Sequence, residues 1–65
     1  MIFNGRNNQQ EEVFINLDNI FLIQIQRDNY KVVSNGAAIV NLDLREGERF
    51  IKEYKDYLGE INGTL

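Results

Sequence analysis

The chain has 65 residues, seven basic against ten acidic side chains, a formal net charge of -3, and neither cysteine nor histidine. A chain of this length holds one core and buries only about 60% of the surface its unfolded form exposes. Without thiolate or imidazole it has no disulfide staple, no ordinary zinc ligands and few catalytic nucleophiles or bases. These absences predict one small domain over residues 1–65 that is not an enzyme, holds no cofactor or metal, and gains support from a partner chain.

The basic residues Arg6, Arg27, Lys31, Arg45, Arg49, Lys52 and Lys55 are interleaved with acids. Mild net acidity weighs against non-specific attraction to phosphate backbones. Lack of cysteine suits a reducing compartment, so a cytoplasmic location is expected. The opening Met1–Arg6 lacks the basic and apolar stretches of a secretory leader. The longest apolar run, Ile20 to Ile23, stops at Gln24, far short of the roughly 20 residues of a membrane span.

In chain order, the polar run Asn7 to Glu12 has no apolar periodicity, and residues 6–12 are expected to form a mobile loop. Glu12 to Asn16 is β-prone, and Leu17-Asp18-Asn19 carries turn chemistry. Ile20 to Gln26 is the strongest strand. Strict alternation puts Phe21, Ile23 and Ile25 on one face, and Ile20, Leu22, Gln24 and Gln26 on the other. Arg27-Asp28-Asn29 marks a tight turn into Tyr30–Val33, and Asn35-Gly36 predicts a two-residue type I′ hairpin into a strand over Ala37–Leu42.

At Asp43 the period changes to that of a helix. Asp43-Leu44-Arg45-Glu46 matches a capping box. Leu44, Gly47, Phe50, Ile51, Tyr54, Tyr57 and Leu58 form one stripe, with Gly59 as the expected terminator near Leu58. Gly47 lies in the first turns at a penalty of roughly 0.5–1 kcal/mol, which close approach of helix to sheet would explain. Residues 60–65 are expected to fray unless Ile61 and Leu65 dock. The fold class expected is α+β: a small antiparallel β-meander of about four strands packed by one C-terminal amphipathic helix.

Candidate sites follow from these placements. Glu46, Glu53, Asp56 and Glu60 read as a solvated face, since the seven-residue spacing separates carboxylates by about 10 Å along a helix. Tyr30, Tyr54 and Tyr57 are candidates for a recognition surface; stripe position assigns Tyr54 to the core and leaves Tyr57 at its edge. Arg27 and Lys31 beside Tyr30 suggest a base-stacking spot, although Asp28 sits among them. The sequence leaves open which sheet face the helix covers; if Ile20 and Leu22 are on the far one, they leave an apolar patch that self-association would bury. The interaction candidates are therefore Ile20, Leu22, Tyr30 and Tyr57.

The segment Phe14-Ile15-Asn16-Leu17-Asp18-Asn19-Ile20 leading into a strand, then an Asn35-Gly36 hairpin, a strand and a final helix, resembles the small flagellar FlbD-like proteins. That resemblance implies the same order of elements over most of the chain and brings no catalytic residues. The layout around Leu44-Arg45-Glu46 is also similar to the small RNA-binding carbon-storage regulators, whose basic N-terminal strand is missing here. The function expected is a non-enzymatic protein–protein interaction module: a homo-oligomer with a protein partner of unknown identity. The alternatives are a small nucleic-acid-binding regulator and a mobile-element inhibitor or counter-defence protein.

Overall fold

Alternating apolar residues build two antiparallel sheets, and a single amphipathic helix closes over both. The computed structural model describes residues 1–62, with side chains described to Glu60. The elements are β1 (Ile2–Arg6), β2 (Glu12–Asn16), a 3-10 turn (Leu17–Asn19), β3 (Ile20–Ile25), β4 (Asn29–Ser34), β5 (Ile39–Asp43) and α1 (Leu44–Asn62). This is an α+β fold. β1 and β2 pair as one hairpin; β3, β4 and β5 form a separate meander in that order.

β1 adds a strand to those expected. Its Asn4 and Gly5 are poor strand formers, yet Phe3 pairs with Ile15 and Gly5 with Val13, and this inward set alternates with exposed Ile2, Asn4 and Arg6. Gly5 suits the site because a Cβ there would collide with the Phe3 ring and with Glu46 Oε1. Asn7 organises the turn between β1 and β2: its Oδ1 accepts from the amides of Gln9 and Glu11, both at 2.9 Å. The Asn8 amide donates to the Asn41 carbonyl at 2.8 Å, which ties this turn to β5. After β2, Asn16 Oδ1 accepts from the Asp18 amide at 3.0 Å and turns the chain, burying Leu17.

The β4–β5 connection departs from the expected two-residue turn. Ser34 and Ala38 are joined by the Ser34 N–H bond to the Ala38 carbonyl at 2.9 Å, and Ala37 N–H donates to the Ser34 carbonyl at 3.0 Å. Three residues are thus enclosed, and the positive φ values fall on Gly36 (96°) and Ala37 (70°) rather than on Asn35 and Gly36. A left-handed conformation is disfavoured for an alanine by roughly 1–2 kcal/mol. Ala37→Gly should therefore stabilise the fold by about 0.5–1 kcal/mol after the extra chain entropy of glycine is subtracted. Chemical denaturation of the two proteins checks this; a destabilised variant would contradict the turn geometry.

Asp43 caps α1 as expected, its Oδ1 accepting from the Glu46 amide at 2.9 Å. Only half of the capping box forms, because the Glu46 carboxylate reaches across to the Arg6 amide at 2.8 Å instead. The helix also continues through Gly59 to Asn62 rather than ending near Leu58. Residues 60–62 of the expected frayed tail thus lie within α1, while 63–65 and the docking of Ile61 and Leu65 fall outside the described residues and side chains.

Phe3, Ile15, Leu17, Val32, Leu42 and Phe50 form the fully buried core, drawn from both sheets, the 3-10 turn and the helix. Phe3 meets Phe50 edge-on at 5.1 Å between ring centroids, and Tyr54 stacks on Phe50 at 6.0 Å. Gly47 lies directly against the meander. A Cβ there would overlap the ring of Tyr30. Leu44, the first member of the expected stripe, is exposed, whereas Ile51, Tyr54 and Tyr57 pack against the core.

Candidate interaction surface

Strand β3 does not alternate strictly. Its register with β4 pairs Ile20 with Ser34 but Leu22 with Val33, so a bulge takes up one residue at Phe21. Directly paired residues share a face of a sheet, and the faces therefore change places across the bulge. Ile20 and Ile23 turn inward and pack against the core, while Phe21 (70% exposed) and Leu22 (44%) lie on the outer side. The expected grouping of Ile20 with Leu22 is corrected by this bulge, as is that of Phe21 with Ile23. Inserting one residue opposite none is how a strand moves successive side chains to the same side.

The outer face then carries a continuous apolar row. Leu22 pairs with Val33, and Val33 pairs with Ile39, which is 54% exposed. Phe21 lies beside this row over the β4–β5 turn, sharing a shallow depression with Val33 and Gly36. The next row, Gln24, Lys31 and Asn41, is polar. Among the described residues, no element covers the apolar row.

The four candidates are not brought together. Leu22 is on the outer face, whereas Ile20, Tyr30 and Tyr57 are partly buried and packed against the core. Tyr30 lies under Gly47 of the helix and pairs with Leu42, while its neighbour Lys31 faces outward. Arg27, Tyr30 and Lys31 thus form no common stacking surface. Tyr57 stacks on Tyr54 at 6.3 Å. Phe21, Val33 and Ile39 are the members that the sequence reading misses; only the register reveals them.

A second feature is an open cleft of about 830 Å³ between β1 and the start of α1, lined by charges of both signs. Its centre is Arg49, which bonds Glu46 at 3.2 Å, Glu53 at 3.1 Å and the Asn4 carbonyl at 2.7 Å. The guanidinium also lies 4.5 Å from the centroid of the Phe3 ring. Four hydrogen bonds within its own chain engage the cation, so the cleft clamps helix to hairpin and leaves Arg49 little capacity for an anionic ligand.

The Arg49 hydrogen bond, the Arg6 amide and nearby positive charge hold the Glu46 carboxyl below its usual pKa of 4.5, against a smaller opposing effect of burial. A depressed carboxyl stabilises the fold above its unfolded pKa and loses that contribution as pH falls through the folded value. Melting temperature should accordingly drop on acidification below about pH 4.5. Glu46→Gln should start lower and show a shallower decline over the same window; an unchanged acid limb would contradict the clamp.

Comparison of the chain with protein-family models, with curated proteins and with solved structures gave no match. Its geometry therefore has to carry the functional reading. That geometry defines a small α+β domain with an uncovered apolar sheet face, in which no helix of the described residues is long and apolar enough to cross a membrane.

Proposed function

We propose that the chain is a non-enzymatic interaction module that associates with itself through the β3 side of its meander. The observation that supports this is the outer row Leu22–Val33–Ile39, exposed at Leu22 and Ile39 and half-buried at Val33, with the exposed Phe21 beside it. Apolar side chains contiguous on a sheet face mark association surfaces more often than isolated exposed residues do. Self-association also supplements a small core, six buried apolar residues among those described. The resemblance to FlbD-like proteins, which carries no catalytic residues, is compatible with such a role.

The test is size-exclusion chromatography with light scattering on the parent and on Leu22→Lys. The parent should shift toward a multiple of the chain mass as concentration rises, and its melting temperature should rise with it. Leu22→Lys should remain folded, since its side chain points outward, and should lose both dependences. A parent that runs as a single chain at high concentration would end the proposal.

A further inference from the structure

We propose that two copies join edge to edge through β3, antiparallel and related by a two-fold axis at Gln24, so that the two meanders become one continuous sheet. This rests on the self-association reading and moves its contact from the outer row, which edge pairing leaves uncovered, to the adjoining strand edge, where Leu22 comes opposite Gln26 of the second copy. The hairpin bond from Gln26 N–H to the Asn29 carbonyl, at 2.9 Å, sets the alternation of bonded pairs along β3 and β4. Gln24 is then bonded to Lys31, and the backbone N–H and C=O of Ile23 and Ile25 point away from β4 to the open edge. Edges in this state template further strands unless they are blocked.

The other edges carry blocks that β3 lacks. On β1, the Asn4 carbonyl is taken by Arg49 and the Arg6 amide by Glu46. On β5, the Asn41 carbonyl is taken by the Asn8 amide. β2 carries Glu12, preceded by Glu11, at its start, an edge charge of the kind that blunts strand pairing. β3 has no charged residue from Ile20 to Gln26 and no proline.

The register follows from where the edge is regular and from what it would match. The bulge at Phe21 bounds the regular stretch on one side and Arg27-Asp28 bounds it on the other, leaving Gln24 at the centre. Ile23-Gln24-Ile25 reads the same in both directions. Antiparallel pairing about Gln24 therefore sets Ile23 against Ile25 of the second copy, exchanging backbone hydrogen bonds, and sets Gln24 against its own counterpart. Ile25, 66% exposed at the end of the inward row, gains the second copy's Ile23 as a neighbour. A second copy fits better than an unrelated strand because the match is of like on like at each of these positions.

The chain has no native cysteine, so single-cysteine variants report the contact directly. In this register Gln24 faces Gln24 of the second copy as a non-hydrogen-bonded pair, with Cα atoms about 4.5 Å apart, within disulfide range. Leu22 lies four residues from its own counterpart, on the order of 13 Å at roughly 3.3 Å per residue. Under mild oxidation most of the Gln24→Cys protein should become a disulfide dimer, while Leu22→Cys and the helix control Lys52→Cys stay largely monomeric. Ile25→Pro, which removes an outward N–H, should abolish dimerisation of the otherwise parental chain.

Cross-linking of Leu22→Cys as fast as Gln24→Cys would overturn the edge register in favour of face-to-face stacking. A parent that dimerises by light scattering while Gln24→Cys fails to cross-link would likewise overturn the register but leave self-association standing. A monomeric parent would remove both.

Discussion

Phe50→Ala should destabilise the chain by about 3–5 kcal/mol, the range for removing a buried aromatic ring. Phe50 is fully buried where the hairpin, the meander and the helix converge, with Phe3 edge-on at 5.1 Å and Tyr54 stacked at 6.0 Å. Deleting the ring loses its burial and leaves a cavity that three elements would have to close together. Folded domains carry roughly 0.05–0.15 kcal/mol of stability per residue, so this loss would take most of what so short a chain has. Urea denaturation should find the variant largely unfolded or its midpoint sharply lowered. Ile51→Ala, at a half-buried position, should be milder, and Lys52→Ala, on the solvent side, should change stability by less than about 0.5 kcal/mol. Equal effects at the three positions would contradict the helix phase.

Gly47→Ala is expected to destabilise by about 1–3 kcal/mol, the usual penalty for overpacking, although the same change in an exposed helix would stabilise by roughly 0.5–1 kcal/mol. The sign is reversed by Tyr30, whose ring occupies the place a Cβ would take. Removing the ring should relieve most of this: in a Tyr30→Ala background Gly47→Ala should cost clearly less, with the residue-30 Cβ, 2.8 Å from the added methyl, as the remaining close contact. A double-mutant cycle measures this coupling directly. Additive effects of the two substitutions would mean that the helix does not approach the sheet at this point.

The helix was legible because its apolar period and the Asp43 cap are local signals, and both act where the residues stand. Other features depend on partners remote in sequence. Asn4-Gly5 argues against a strand until Phe3 and Val13 are seen to need a partner strand and a close helix. Glu46 completes a capping box on local grounds, yet a backbone amide 40 residues away competes for its carboxylate. Gly59 has the chemistry of a helix terminator but lies within α1.

The face assignment of β3 illustrates the same limit. A run of four apolar residues from Ile20 to Ile23 offers no polar position to fix its register. Alternation alone therefore could not place the bulge that turns Ile20 inward and Phe21 outward. Leu22 lies on the outer face together with Phe21 rather than with Ile20. Its neighbours Val33 and Ile39 belong to other strands and are visible only from the pairing.

Self-association is most directly tested by light scattering on the parent chain over a wide concentration series at physiological salt. The weight-average mass should rise from that of one chain toward that of two as concentration increases. A mass that stays at one chain throughout, with a melting temperature independent of concentration, would contradict it.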